Sequence, residues 1–321
     1  MSQPIFPQNV ISVIWDFDKT LIRGYMQEPL FRHFGVDGSQ FWKEVGALAE
    51  YYHAQGIDRI NQDTLYLSHM LSYVRHGKFP GLNNALLRKF GEEMDFYPGL
   101  PDFFGQLRDR FNQPPWEKHD IRVEHYIVST GLRQTILGSK IAPFVEAVWG
   151  CEFAENEPGP GFLDKPHPLP PADKRVIDHV VYTIDNTSKT RAAFEINKGT
   201  SKVPAINVNS NMPPEERRVP FRNMVYIADG PSDIPVFSLL RQYGGRTFAV
   251  YRKGSEGEFA QVCDLQLQGR IEAFGEANYE PGEQASMWIN KAVEDIAKRM
   301  VRERAESLDR KVGKPPRHLD D

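Results

Sequence analysis

The sequence predicts an α/β protein: a doubly wound parallel sheet with an all-helical insertion after its first strand and a helix at the C-terminal end. Three observations predict it. Short apolar runs rich in β-branched residues, clearest at Val10–Trp15 and Met224–Ala228, have the composition of strands covered on both faces. Stretches of helical period separate most of these runs. Several runs end abruptly in acids, hydroxyls or glycine, and open α/β sheets place their ligands at such carboxyl ends, where loops line a crevice.

Composition narrows the classes of function. A chain of 321 residues, 40% hydrophobic, has enough apolar content for one large domain or two ordinary ones. The formal net charge of -4 offers no general attraction to nucleic acid or to an anionic membrane, so neither is expected as a partner. No positive segment followed by an apolar stretch opens the sequence, and no run is long enough to span a bilayer; a cytoplasmic location is expected. Cys151 and Cys263 are too few for a disulfide framework and too far apart for a CxxC motif, so both are expected reduced and buried.

The first strand ends in Asp16-Phe17-Asp18-Lys19-Thr20. Side chains alternate along a strand, so Asp16 and Asp18 face one site. Such a pair can divide labour, one acid as metal ligand and nucleophile, the other as proton carrier; the plain alternative is a solvated acidic turn. From there to about residue 97 the period is helical, over 28–34, 39–54, 63–74 and 83–90. Ser39 with Gln40, Asp58 and Asp63 offer capping oxygens, and Gly35, Gly56, Gly77 and Pro80-Gly81 supply breaks. The aromatics of this block (Phe31, Phe34, Phe41, Trp42, Tyr51, Tyr52, Tyr66, Tyr73) read as its own small core rather than a stacking surface. His33, His53, His69 and His76 are too scattered for a metal site.

Residues 97–111 open a helix with Pro101 near its start and Phe103, Phe104 and Leu107 on its apolar face. A strand over 121–128 ends in Ser129-Thr130-Gly131, with a helix beginning near Leu132. Strand, hydroxyl, glycine and helix make an anion-binding corner, because a first helical turn presents unpaired N–H groups; ordinary N-capping is the competing reading. Residues 147–153 read as the next strand, 155–171 as a loop or flap, 179–184 as a short strand, and 189–198 as a helix starting at Asn186, Thr187 or Ser188. Lys189 in that first turn opposes the helix dipole, so a nearby carboxylate cluster or phosphate is needed to explain it, with Lys198 and Lys202 as competitors. Residues 200–222 read as a long surface excursion.

The strand Met224–Ala228 ends in Asp229-Gly230-Pro231-Ser232-Asp233, where glycine permits a tight turn and two carboxylates four apart suit an oxygen-rich Mg²⁺ pocket. Arg246–Tyr251 and residues 262–267 read as the last strands. From Gln284 to about Arg304, Trp288, Ile289, Ala292, Val293, Ile296, Met300 and Val301 follow helical spacing. That helix lies on the core or on a second copy in a homodimer, and the tail ending in 314–321 is expected to be mobile.

Together these four corners resemble the motifs of the haloacid dehalogenase-like (HAD) hydrolase superfamily. Asp16-Phe17-Asp18-Lys19-Thr20 looks like the first motif, Ser129-Thr130 like the second, Lys189 like the third and Asp229-Gly230-Pro231-Ser232-Asp233 like the fourth. The resemblance implies a Rossmann-like core at 1–22 and 97–274, a helical cap at 23–96 similar to that of the phosphoserine phosphatase-like branch, and a C-terminal helix and tail at 275–321. It implies a phosphatase in which Asp16 is the nucleophile, through an aspartyl-phosphate, and Asp18 protonates the leaving oxygen and then activates water. The residue at 18 separates this pattern from dehalogenases and P-type ATPases. The Asp16 carboxylate, the Asp18 main-chain carbonyl and Asp229 would hold Mg²⁺, assisted by Asp233. Thr20, Ser129, Thr130 and Gly131 would meet the phosphate, and Lys189 would balance its charge. A cap closing over the site favours a small phosphorylated metabolite. Two departures stand out: Lys189 and Asp229 lie further apart than in a phosphoserine phosphatase, and no cap residue is assignable to an amino-acid carboxylate or amine. A phosphotransferase or phosphomutase, and a metabolite-binding protein without turnover, are the rival activities.

Overall fold

All six residues of the first strand, β1 (Val10–Trp15), are buried, as a strand covered by helices on both faces must be. In the computed structural model, which describes residues 6–164 and 170–312, β1 leads into α1 (Glu28–Phe34), α2 (Gly38–His53), α3 (Leu65–Arg75) and α4 (Asn84–Gly91). The chain then continues through α5 (Asp102–Asp109), β2 (Arg122–Leu132), α6 (Arg133–Gly138), β3 (Ala147–Glu155), β4 (Ile177–Tyr182) and α7 (Ser188–Lys198). It ends with β5 (Met224–Ala228), α8 (Ile234–Gln242), β6 (Arg246–Tyr251), α9 (Glu256–Leu267), β7 (Ala273–Glu276) and α10 (Gln284–Val312). The strands form one seven-stranded sheet in the order β4-β3-β2-β1-β5-β6-β7. Every pairing is parallel except β3 with β4. Strand order reverses at β1, which has β2 on one side and β5 on the other, and this is the switch point at which a ligand crevice opens.

The helical insertion forms where its period places it, but its caps lie elsewhere. Asp37, rather than Ser39 or Gln40, starts α2 by accepting from the main-chain N–H groups of both, at 2.8 and 3.3 Å. Asn61 caps a short turn before α3 and Asn83 caps α4, while Asp58 and Asp63 cap neither helix. Gly35 ends α1 at φ 65, a left-handed conformation glycine adopts without strain. Phe31, Phe41, Tyr66 and Phe79 are buried together, whereas Tyr51 is 63% exposed and adds nothing to that core. Two glycines fasten the insertion to the sheet layer. A Cβ on Gly138 of α6 would lie 1.8 Å from the Arg88 oxygen of α4, and one on Gly91 would lie 2.1 Å from the Thr135 oxygen.

Several expectations fail for identifiable reasons. Residues 262–267 are helical, the C-terminal half of α9, and the last strand is β7. The apolar alternation there misled: Ser255 caps the helix on the Glu258 N–H, Val262 and Leu265 alone are buried at helical spacing, and Leu267 is 85% exposed. Cys263 sits half-buried on the same helix, so only Cys151 matches the expected burial, and both are free thiols. The stretch 200–222 is not purely a surface excursion, because Val219 and Phe221 are buried and Val219 is held by the Asn197 amide at 2.7 Å. β2 runs on through Ser129, Thr130 and Gly131, and β4 starts two residues early. Within the loop 155–171, residues 165–169 lie outside the described residues, as does the tail 314–321. α10 packs on its own sheet, burying Ile289, Val293, Ile296 and Met300 against strands that include β1 and β5. Each fully buried aliphatic of this kind is worth roughly 1.5–3 kcal/mol, which is what holds so polar a helix in place.

Candidate active site

The carboxyl ends of β1 and β5 bring the first two acids together. Asp16 is 5% exposed, and its N–H donates to the Ile227 oxygen at 2.9 Å, which fixes it to the neighbouring strand. The chain then turns at Lys19, whose φ of 55 is left-handed. That turn carries the Met26 N–H to Asp18 Oδ1, 3.0 Å away, so the start of the insertion orients the second acid. Asp229 follows β5 directly, and its main-chain oxygen accepts from the Gln261 amide of α9 at 3.2 Å.

Lys189, fully buried in the first turn of α7, lies between two of these acids. Its Nζ is 3.2 Å from Asp16 Oδ1, 2.7 Å from Asp233 Oδ1 and 3.3 Å from Ser232 Oγ. The carboxylates account for a cation at the positive end of a helix. Lys198 instead bonds the Val208 and Ser210 oxygens, and Lys202 pairs with Glu146, so neither shares this position. Asp233 Oδ1 is taken up by Lys189 and by the Tyr226 hydroxyl at 2.7 Å, while Oδ2 accepts only the Ser232 hydroxyl, at 2.9 Å. Asp233 Oδ1 thus holds the lysine, and Oδ2 keeps room for a further partner.

Oxygens of Asp16, Asp229 and Asp233 lie within 4.8 Å of one another. Burial, tempered by Lys189 and reinforced by Asp233, pushes Asp16 up to about 6. Burial and then the charges of Asp16 and Asp233 push Asp229 up to about 8. Asp18 is raised well above the carboxylate range by burial and by Asp16. Burial opposes the charge on Lys189, yet Asp16 and Asp233 together hold it above its ordinary value. Four acids thus face one ammonium, and an oxygen-only donor set with excess negative charge fits a hard divalent cation.

The hydroxyl corner stands at the end of β2. Pairing with β3 shifts register between Val128 and Leu132, so the ladder lapses there. The Thr130 oxygen accepts the Tyr66 hydroxyl at 2.7 Å and the Cys151 thiol at 3.3 Å. The Gly131 N–H donates to Ser129 Oγ at 3.0 Å. Gly131 lies close under the Met26 side chain, since a Cβ there would fall 2.1 Å from the Met26 methyl. The Thr20 hydroxyl is buried without a hydrogen-bond partner among the described residues, while its main-chain oxygen accepts from Tyr279 at 2.7 Å. Sequence reasoning missed Tyr226, Ser232 and Tyr66. A tyrosine inside a wholly buried strand needs a partner for its hydroxyl, and that signal was available for Tyr226.

No family model matches the chain. An uncharacterized protein of Borreliella burgdorferi is 38% identical over 285 residues, which span 88% of this chain and 96% of that protein. The chain belongs to the same family as that protein. Among solved structures it is similar to a HAD family hydrolase from Salmonella enterica serovar Typhi, 12% identical, covering 84% of this chain and 68% of that one at a TM-score of 0.49. It is also similar to a phosphoserine phosphatase holding a phospho-aspartyl intermediate analogue, 14% identical, covering 83% of this chain and 93% of that one at a TM-score of 0.46.

Proposed function

We propose that this chain is a HAD-type, Mg²⁺-dependent phosphomonoesterase acting on a small phosphorylated metabolite, with the phosphoryl group carried transiently on Asp16. The observation that carries the reading is Lys189, a fully buried ammonium 3.2 Å from Asp16 and 2.7 Å from Asp233, amid acids from separate strand ends. A carboxylate and a phosphate repel, so such an attack needs positive charge fixed at the point of contact. Asp16, the Asp18 main-chain carbonyl and Asp229 would hold Mg²⁺, with Asp233 close by. Bound there, the ion would supply the remaining neutralising charge.

In this reading an Asp16 oxygen forms a bond to phosphorus as the ester oxygen departs with the proton of Asp18. The upward shift of Asp18, caused by burial and by Asp16, favours its proton-bearing form and supports that role. Asp18 next takes a proton from water, whose oxygen attacks phosphorus and releases phosphate, restoring Asp16. Lys189 balances charge throughout. The Ser129 hydroxyl, with Thr130 beside it, would donate to phosphoryl oxygens, whereas the Gly131 N–H is already engaged by Ser129. The insertion, taken as a cap over 23–96, would exclude water and bulky substrates. A panel of phosphorylated metabolites, assayed for phosphate release with Mg²⁺ and again with chelator, tests this. Release should depend on the ion, and Asp16→Asn should keep the circular dichroism spectrum while losing at least about a thousandfold in turnover. Normal turnover in that variant removes the nucleophile assignment, and delivery of phosphate to a second hydroxyl instead of water makes the enzyme a phosphotransferase.

A further inference from the structure

The reaction just described leaves unused a hydrogen bond that joins the helical insertion to the hydroxyl corner. Tyr66, in the first turn of α3, is 5% exposed, packs against Trp42 with ring centroids 5.8 Å apart, and donates its hydroxyl to the Thr130 oxygen at 2.7 Å. That oxygen lies where the β2–β3 register shifts. The Thr130 carbonyl and the Gly131 N–H belong to one peptide unit, which is planar and trans, so the direction of one fixes the direction of the other. The N–H points at Ser129 Oγ, 3.0 Å away. Ser129 is 1% exposed, and its own proton has no acceptor among the described residues. Hydrogen bonds in series polarise one another: a carbonyl that accepts makes its amide a better donor, and the hydroxyl that receives that amide becomes a better donor in turn.

The geometry points to Tyr66 as a positioning residue that acts through the Thr130–Gly131 peptide to aim and polarise the Ser129 hydroxyl at a phosphoryl oxygen. Anion binding by the sheet then depends on the seating of the insertion. This role rests on the phosphatase reading above, in which Ser129 faces phosphate. Burial, with the charges of Cys151 and Asp18, holds the Tyr66 phenol well above its ordinary pKa, so it remains a donor. Two other bonds seat the same segment beside α7: the Asn61 amide to Asp185 Oδ2 at 2.9 Å, and the Asn186 N–H to Asp63 Oδ2 at 3.1 Å. Neither touches the Thr130–Gly131 peptide, which makes Asn61 the natural comparison.

The test measures binding of inorganic phosphate to the full chain with Mg²⁺ present, by calorimetry and by competitive inhibition. It uses the wild type, Tyr66→Phe, Ser129→Ala, the double variant and Asn61→Ala. Tyr66→Phe keeps the ring and its packing on Trp42. It should weaken phosphate binding about tenfold, the scale of one oriented hydrogen bond. Ser129→Ala should cost a similar factor alone but little more in the Tyr66→Phe background, because both changes break one relay. Asn61→Ala should leave phosphate affinity within about twofold. Losses that multiply in the double variant, or an Asn61→Ala loss equal to that of Tyr66→Phe, overturn the relay while leaving the phosphatase reading intact. A wild type that neither binds phosphate nor releases it from any ester overturns that reading and this role with it.

Discussion

Binding of Mg²⁺ should be strongly pH-dependent, because Asp229, and at lower pH Asp16, would hold protons that the ion must displace. Asp229 and Asp16 are raised from 3.8 to about 8 and about 6, in both cases chiefly by burial. A cation displaces those protons. At pH 6 about one Asp229 in a hundred is ionised and at pH 8 about one half, a factor of about fifty in apparent affinity. Asp16, half ionised at pH 6 and fully so at pH 8, adds about a factor of two. Calorimetric titration with Mg²⁺ should therefore show about a hundredfold tighter binding at pH 8 than at pH 6. Repeated in buffers of differing ionisation heat, it should count about one proton released per ion at pH 7. Stability follows the same groups. Both have a folded-state pKa above the unfolded value, so without the ion the stability present below pH 3.8 is lost as pH rises through about 8. The gain in melting temperature on adding Mg²⁺ should grow over that range. Affinity that does not change with pH, or undiminished binding by Asp229→Asn, would refute the assignment of these carboxylates to the ion.

Two further predictions concern the scaffold. His125 is fully buried, its Nδ1 accepting from Trp15 Nε1 at 3.2 Å and its Nε2–H donating to the Phe104 oxygen at 3.1 Å, and burial pushes its pKa down to about 3. Below pH 6.5 the unfolded chain takes up a proton the folded chain refuses, so this residue alone should cost about 2 kcal/mol between pH 7 and pH 5, against the opposite trend of Asp16 and Asp229, and urea unfolding should show it as the change in the difference between wild type and His125→Gln over that range. Gly138→Ala should lower stability by about 1–3 kcal/mol in thermal unfolding, since its Cβ would fall 1.8 Å from the Arg88 oxygen; an unchanged melting temperature would contradict the close approach of α4 and α6.

Much of this architecture is legible in the sequence because a buried parallel strand leaves a compositional trace. Val10–Trp15 and Met224–Ala228 are uninterrupted apolar runs, and the acids after them mark the crevice. The helices of the insertion show their period, since each has one face on a core. Residues 262–267, helical and not a strand, leave no such trace. Alternation over so few residues fits either period, and only the cap at Ser255 and the exposure of Leu267 separate them. Choosing among Lys189, Lys198 and Lys202 was likewise beyond the sequence, because all three are lysines near one helix and only the fold decides which meets the acids.

What remained hidden follows a rule of its own. Polar-tipped aromatics count as core in any apolar pattern, yet their donors as a rule take a partner, Tyr97 being an exception among the described residues. Trp15 donates to His125, Tyr126 to Glu124, Tyr226 to Asp233 and Tyr279 to the Thr20 oxygen. Two of these partners, Asp233 and Thr20, sit on the loops that carry the acids. The phenol of Tyr226 fills a site on the Asp233 oxygen that also receives Lys189, so the direction of the lysine is set from inside the sheet. Tyr66 repeats the device from the opposite side, through a main-chain oxygen that no side-chain pattern could announce. The rigidity that the proposed nucleophile and its counter-charge would need is thus supplied by residues that packing alone would not distinguish from phenylalanine.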